Sequence, residues 1–395
     1  MHYDSLRDQF LIDPAVAFLN HGSFGATPRP VFERYQAWQR ELERQPVEFL
    51  GRRFNALMDD ARAALGTFLN TPADSLIFIP NATMGMNIVA RSIALEPGDE
   101  VVSTDHEYGA IDRMWRVVCG EARAIHNPVA IPLPVTSHTE LVERIWSEVT
   151  PRTRILSMSH ITSRTALRLP VEELCRRARE AGIISVVDGA HAPGQIAVDL
   201  AAVGADFYTA NAHKWMCAPK GAAFLQARPG MEDRLKPLVV SWDMGATNPT
   251  GSRFLDVHQW TGTRDIAAYL SVPAAIDFQR EHNWPVVRAR CRELLVGARD
   301  AVARITGMPH VCPNSTDWFA QMAVLELPPG TDGAKLQCEL YDRFKVELPI
   351  NNWNDRVLMR IAVQGYNTRS DLERLAEGLE QLLAHPESII PRPSA

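Results

Sequence analysis

Lys214 stands in Thr209-Ala-Asn-Ala-His-Lys-Trp, straight after a short apolar run and between His213 and Trp215. Asp188 closes another apolar run, Ile183-Ile-Ser-Val-Val-Asp, with Gly189 next in the chain. Alone, each has a plain explanation: Asp188 as a turn residue or cap, Lys214 as an exposed lysine. Together they match one chemistry. An amine forms a Schiff base with a carbonyl cofactor and later carries protons. A carboxylate keeps a pyridine nitrogen protonated, so that the ring draws electrons.

Two further segments suit the same site. Asn81-Ala-Thr-Met-Gly-Met-Asn follows an apolar run and opens a helical pattern. Free backbone N–H groups and the helix dipole make such a start a phosphate cradle. The spacing is neither a dinucleotide fingerprint nor a P-loop, and an N-cap explains Asn81 and Thr83 equally well. Trp260-Thr-Gly-Thr-Arg-Asp is a polar turn between apolar segments. By itself it reads as a loop.

The elements that would position these residues alternate between strand and helix patterns. Strands are expected at 75–80, 99–104, 153–159, 183–188, 207–210 and 222–226, with helices at 81–93, 110–119, 139–149 and 171–181. This alternation implies an α/β fold, a mostly parallel sheet covered on both faces. Asp188 and Lys214 then fall at or just beyond strand carboxyl ends, where such sheets bind ligands. After about residue 268 the rhythm changes. A long helix at 284–305, strands at 319–327 and 357–363, a helix at 334–344 and a last helix after Thr368 form a smaller α+β domain. Thr368 with Asp371 has the form of a capping box. Three spans follow: an N-terminal segment 1–30, a large domain 31–268 and a small domain 269–395.

Composition narrows the field. The chain has 395 residues, 41 Lys plus Arg against 47 Asp plus Glu, and a net charge of −6. That balance offers no electrostatic reason for nucleic acid or an anionic membrane. No apolar run reaches a membrane span. The polar start is unlike a signal peptide, so the cytoplasm is the expected location. Six scattered cysteines read as reduced and buried rather than as a disulfide framework or metal site.

The motifs Leu19-Asn-His-Gly-Ser-Phe-Gly, Asn81-Ala-Thr, Glu107-Tyr-Gly-Ala, His160-Ile-Thr-Ser, Val187-Asp-Gly-Ala-His-Ala, Asn211-Ala-His-Lys-Trp, Trp260-Thr-Gly-Thr-Arg-Asp, Arg360-Ile-Ala and Tyr366-Asn-Thr span nearly the whole chain. In this order they resemble the class V aminotransferase family of fold-type I pyridoxal 5'-phosphate (PLP) enzymes, and within it the isopenicillin N epimerase-like branch. The resemblance implies a PLP-dependent transferase fold and a Schiff base on Lys214, with Asp188 at the pyridine nitrogen. It further implies Tyr108 stacked on the cofactor ring. His191 and Ser163, with Thr162 as rival, approach its phenolic oxygen. Thr83, the Met84 amide, His213 and, less firmly, Asn211 hold the phosphate. Thr263 reaches the phosphate of a neighbouring subunit, which implies a homodimer with shared active sites. Arg360 would clamp an amino-acid carboxylate, and Asn20 and His21 would line the substrate pocket.

Two positions depart from the pattern. His160 stands where an acidic residue is common, and Arg164 where a small residue or proline is common. The pair implies an altered pocket or an additional anionic group to bind, with a surface loop change as the plain alternative. Desulfurases of the family carry a nucleophilic cysteine shortly before the carboxylate arginine; residues 345–359 contain none, and Cys338 falls in a helical pattern. The favoured expectation is a C–S β-lyase acting on a cysteine conjugate in natural-product metabolism, because elimination needs no second base. The alternatives are amino-acid epimerisation, transamination and decarboxylation-coupled deamination. A catalytically silent PLP-fold binding protein would be favoured by loss of Lys214 or Asp188; both are present.

Overall fold

A computed structural model describes residues 4–242, 244 and 250–384. Seven strands build the main sheet: β1 (Leu76–Ile79), β2 (Glu100–Thr104), β3 (Ile125–Val129), β4 (Thr153–Ser159), β5 (Ile184–Asp188), β6 (Phe207–Asn211) and β7 (Ala223–Ala227). Their order is β1-β7-β6-β5-β4-β2-β3. β7 runs antiparallel to both neighbours and every other pairing is parallel. β1, β2, β6 and β7 are buried along their whole length. Helices cover both faces, which explains why these strands read as near-continuous apolar runs. Every strand expected in this domain forms. The sequence reading missed β3, which contains Pro128 and has Ile125 exposed. β3 is the edge strand, where a proline costs no ladder hydrogen bond.

Helix α1 (Ala82–Ser92) starts directly after β1, and α2 (Gly109–Ala122) after β2. Asn81 caps α1 by accepting the Met84 N–H at 2.9 Å, a contact worth about 1 kcal/mol. Gly85 lets α1 lie on the sheet, because a Cβ there would stand 2.1 Å from Thr209 Oγ1.

The small domain has a three-stranded antiparallel sheet, β9-β10-β8, from β8 (Met322–Glu326), β9 (Ile350–Trp353) and β10 (Arg356–Ala362). α3 (Trp284–Thr306), α4 (Gly333–Phe344) and α5 (Arg369–Leu383) pack together and against it. The Thr368–Asp371 capping box forms. The helix Val272–Glu281 packs against Arg29–Arg44 and Phe54–Leu69 of the large domain. A left-handed turn at Asn283, whose φ is 48°, separates this helix from α3. Residues 1–3 and 385–395 of the outer spans lie outside the described residues.

The N-terminal segment joins the two domains. Ala17–Phe18 pairs in parallel with Val346–Glu347, and Asn20 bridges to Ala362. Gly25 then lies on the Lys214 loop: its φ is +71°, and a Cβ would stand 2.0 Å from the His213 carbonyl oxygen. Only glycine meets both demands there.

Candidate active site

The carboxyl ends of β2, β4, β5 and β6 converge on one edge of the sheet, carrying Thr104, Ser159, Asp188 and Asn211. The 212–220 loop leaves β6 and sets Lys214 above this edge. Lys214 keeps some exposure to the cleft. The atoms packed around its amine lower its pKa from 10.5 to about 8, helped by Arg360 and opposed by Asp188. Asp188 is buried, and burial raises its pKa against the pull of the Ala190 N–H and of Lys214. Among the described residues its carboxylate accepts one hydrogen bond, from Ala190 N at 2.9 Å.

His191 is buried beside them, its Nε2 3.3 Å from Lys214 Nζ and its Nδ1 accepting from Trp215 Nε1 at 3.3 Å. Burial, with Lys214 and Arg360, holds it neutral, well below the usual histidine range. His213 turns Nδ1 to the Ala222 carbonyl at 3.0 Å. Its Nε2 has no hydrogen-bond partner among the described residues. Asn211 Oδ1 accepts the Ala82 N–H at 2.8 Å, tying the end of β6 to the start of α1. Thr83 is half-buried in that first turn, while the Met84 N–H is already taken by Asn81.

Arg360, in the middle of β10, is 5% exposed and faces no carboxylate among the described residues. Nη1 donates to the Ser163 carbonyl at 2.8 Å and to Ser163 Oγ at 3.3 Å, and Nη2 donates to Ser23 Oγ at 2.9 Å. Nε has no partner. Burial lowers its pKa to about 10, with Tyr108 acting in the other direction. A buried guanidinium without a counter-ion is costly unless an anion arrives to pair with it. Ser23 also donates to Asn20 Oδ1 at 2.6 Å, and Asn20 Nδ2 donates to Glu347 Oε1 at 3.0 Å. Asn20 thus orients the arginine through Ser23.

Several residues sit differently from expectation. His21 is fully buried, with Nε2 3.1 Å from the Lys214 carbonyl and Nδ1 3.1 Å from Tyr366 Oη. It supports the backbone of Lys214. Ser163 is engaged by Arg360. Thr162 is occupied within its own turn by Thr165 and by the Leu167 N–H. His160 is buried, bonded through Nδ1 to Tyr208 Oη at 3.0 Å, and held neutral with its pKa pushed down to about 3 by burial. It is a buried histidine, and its Nε2 has no hydrogen-bond partner among the described residues. Thr263 is exposed in the single chain. Tyr108 is 47% exposed at the start of α2, close enough to Arg360 to act on it electrostatically.

Sequence reasoning assigned no role to Ser23 or Glu107, although both lie in the quoted motifs. Glu107 is buried, accepting from Thr104 Oγ1 at 2.7 Å and Ser159 Oγ at 2.5 Å. Burial raises its pKa to about 7, with Asp188 contributing in the same direction. It pins the residue before Tyr108 to the ends of β2 and β4.

This donor set fits a pyridine aldehyde phosphate. It has an amine depressed toward neutrality, a buried carboxylate beside it, a neutral histidine, a helix start with a free imidazole nitrogen, and an arginine whose Nε is orphaned.

Comparison with known proteins agrees. A family model described as Aminotransferase class-V matches residues 23–319. Isopenicillin N epimerase of Amycolatopsis lactamdurans is 38% identical, over 95% of this chain and 97% of its own length. A probable chloroplastic L-cysteine desulfhydrase of Arabidopsis thaliana is 29% identical, over 94% and 84%. The crystal structure of a cysteine desulfurase from Escherichia coli superposes with a TM-score of 0.82 at 20% identity, covering 97% of this chain and 99% of the other. The chain therefore belongs to the class V aminotransferase family of PLP-dependent enzymes.

Proposed function

We propose that this enzyme removes the α-proton of an amino acid held through its carboxylate by Arg360, and that a proton drawn from solvent is added on the opposite face, giving epimerisation. The observation that carries the reading is the pairing of Lys214, its pKa pushed down to about 8, with Arg360, buried and without a counter-ion. When bound, PLP supplies an electron sink that labilises the bonds at the substrate Cα. Lys214 is the point of covalent attachment and, with a pKa near working pH, the proton carrier. Asp188 would stand at the pyridine nitrogen and His191 beside the amine. Thr83 and His213 would hold the phosphate, with Asn211 fixing the start of α1. Tyr108 would cover the ring. Arg360, braced by Ser163 and Ser23, orients the substrate with a planar two-donor fork. Thr263, exposed here, would reach the phosphate of a second copy in a homodimer.

The likeness to an isopenicillin N epimerase over almost its whole length supports epimerisation. The cysteines speak against persulfide chemistry. Cys217, in the Lys214 loop, is buried and its thiol is pushed up to about 12. Cys338, expected to be buried like the other five, is instead exposed on α4, outside the segment just before Arg360. A second reading, C–S β-elimination from a cysteine conjugate, is favoured by the single amine base that the geometry supplies. It fits the desulfhydrase relatives.

The test incubates the holoenzyme with L-amino acids, S-substituted cysteines among them, in deuterated water. D-amino acid deuterated at Cα supports epimerisation. Pyruvate with free thiol transfers the assignment to elimination. A purified protein that takes up no PLP, or one that borohydride fails to link to it at Lys214, sinks the central reading.

A further inference from the structure

The turn after β4 carries a second arginine, Arg164, to the start of α2. Thr162 and Thr165 join through their hydroxyls at 2.7 Å, His106 Nδ1 holds Thr165 Oγ1 at 2.7 Å, and Ala166 adopts a φ of 56°. The turn is therefore rigid. From it Ser163 reaches Arg360, and Arg164 extends over the start of α2. A Cβ on Gly109 would stand 3.0 Å from Arg164 Nη2, so the guanidinium lies against the residue that follows Tyr108. Arg164 is half-buried and close enough to act electrostatically on His106.

Arg164 makes no hydrogen bond or ion pair among the described residues. Elsewhere arginines find acids readily: Arg7 with Asp371, Arg154 with Asp99, Arg228 with Asp206, Arg356 with Glu326. Acidic residues outnumber basic ones in the chain. Arg360, which holds Ser163, and Arg164, the next residue along the turn, both lack a carboxylate partner among the described residues. A guanidinium without a counter-ion is a natural site for an anion. Arg360 accounts for the carboxylate common to every amino acid. The second charge is surplus to that need.

We propose that Arg164 binds a carboxylate on the substrate's side chain, so that the enzyme acts on amino acids carrying a second acidic group. This rests on the reading of Arg360 as the site of the α-carboxylate. Tyr108 stands between the two arginines' neighbourhoods and would be covered by a substrate spanning them. Lysine would be a poor substitute for Arg164 if the pairing is bidentate.

The experiment uses PLP-loaded enzyme and a series of L-amino dicarboxylates from aspartate to 2-aminopimelate, each compared with its side-chain amide. Binding is followed by calorimetry and by the cofactor's absorbance. One chain length should bind about ten-fold or more tightly as the acid than as the amide. Arg164→Ala should bring that ratio to about one, Arg164→Lys should restore part of it, and Arg164→Glu should invert it. An unaltered ratio in Arg164→Ala, or no acid preference at any length, overturns the proposal. So does an Arg164→Ala variant that keeps the ratio but changes its oligomeric state, which would assign the arginine to a subunit contact. Arg360→Ala separates the two readings: if it binds the amides as well as the unaltered enzyme does, the reading of Arg360 fails, whatever Arg164 does.

Discussion

The indole N–H of Trp215 donates to Nδ1 of His191 across 3.3 Å. Indole nitrogen is a donor only, so Nδ1 must be the acceptor and the ring proton must sit on Nε2. Nε2 then donates toward Lys214 Nζ, 3.3 Å away. An ammonium cannot accept a hydrogen bond. The arrangement therefore selects the neutral amine, in the same direction as the burial that lowers the pKa of Lys214 to about 8.

Uptake of PLP by the apoenzyme should follow this titration. The rate should fall as pH drops through about 8, because protonation removes the nucleophile. At pH 7 about a tenth of the amine is neutral, far more than for an ordinary lysine. Trp215→Phe removes the donor that fixes the tautomer. Its midpoint should move up by about one pH unit, equivalent to ~1.4 kcal/mol. Stopped-flow absorbance across pH 6–10 reads the shift, and an unmoved midpoint would refute the tautomer argument.

Arg360→Ala should lose about 10- to 150-fold in kcat/KM for amino acids, since a charge-assisted contact is worth about 1.5–3 kcal/mol. Arg360→Lys should recover only part, lacking the fork that meets Ser163 and Ser23 together. Ser23→Ala should raise KM by a smaller factor with the absorbance of the holoenzyme retained. Steady-state kinetics separates the three.

Glu107 gives a stability test with a definite sign. Its pKa is raised from 4.5 to about 7, so the folded protein binds more protons than the unfolded one between those values. Stability from this group is present below pH 4.5 and is lost as pH rises to 7, by roughly 3 kcal/mol in all. Glu107→Gln keeps the contacts to Thr104 and Ser159 without the charge. Its stability relative to the unaltered enzyme should grow from pH 5 to pH 7 and then level off in urea melts.

His21 and His160 act oppositely. Both are buried neutral, with pKa pushed down from 6.5 to about 3. The unfolded chain binds the extra protons, so stability is full above pH 6.5 and falls below it by about 1.4 kcal/mol per pH unit for each histidine. Acidification from pH 6.5 to 5 should therefore destabilise the protein despite the opposing gain from Glu107. His160→Gln, which can still bond Tyr208 Oη, should flatten that slope. An equal slope in the variant would show that His160 is not the group titrating.

The sequence displayed the sheet well because its strands are buried on both faces and read as apolar runs. It displayed Lys214 and Asp188 because a charge beside such a run is conspicuous. β3 escaped because an edge strand tolerates His126 and Pro128. The roles of Ser23 and Glu107 escaped for another reason: each acts by holding a neighbour, Arg360 for the one and the Tyr108 turn for the other. Such roles depend on contacts hundreds or tens of residues apart. His21 was placed in the pocket because its motif suggested a ligand contact, whereas packing turned the ring inward beneath Lys214. Arg164 was visible as an odd residue, but only the fold shows that nothing among the described residues answers its charge.

The pairing of Ala17–Phe18 with Val346–Glu347 also sets an order of events. The segment that presses Gly25 onto the Lys214 loop leaves the ribosome early and must wait for a strand made more than 300 residues later. Contacts of such separation form late and slowly. Until they form, Lys214 has its sheet but not its cover, and Arg360 has not yet been synthesised or has no Ser23 to meet. Completion of the cleft thus reports that the stretch from Ala17 to Ala362 has been made and folded.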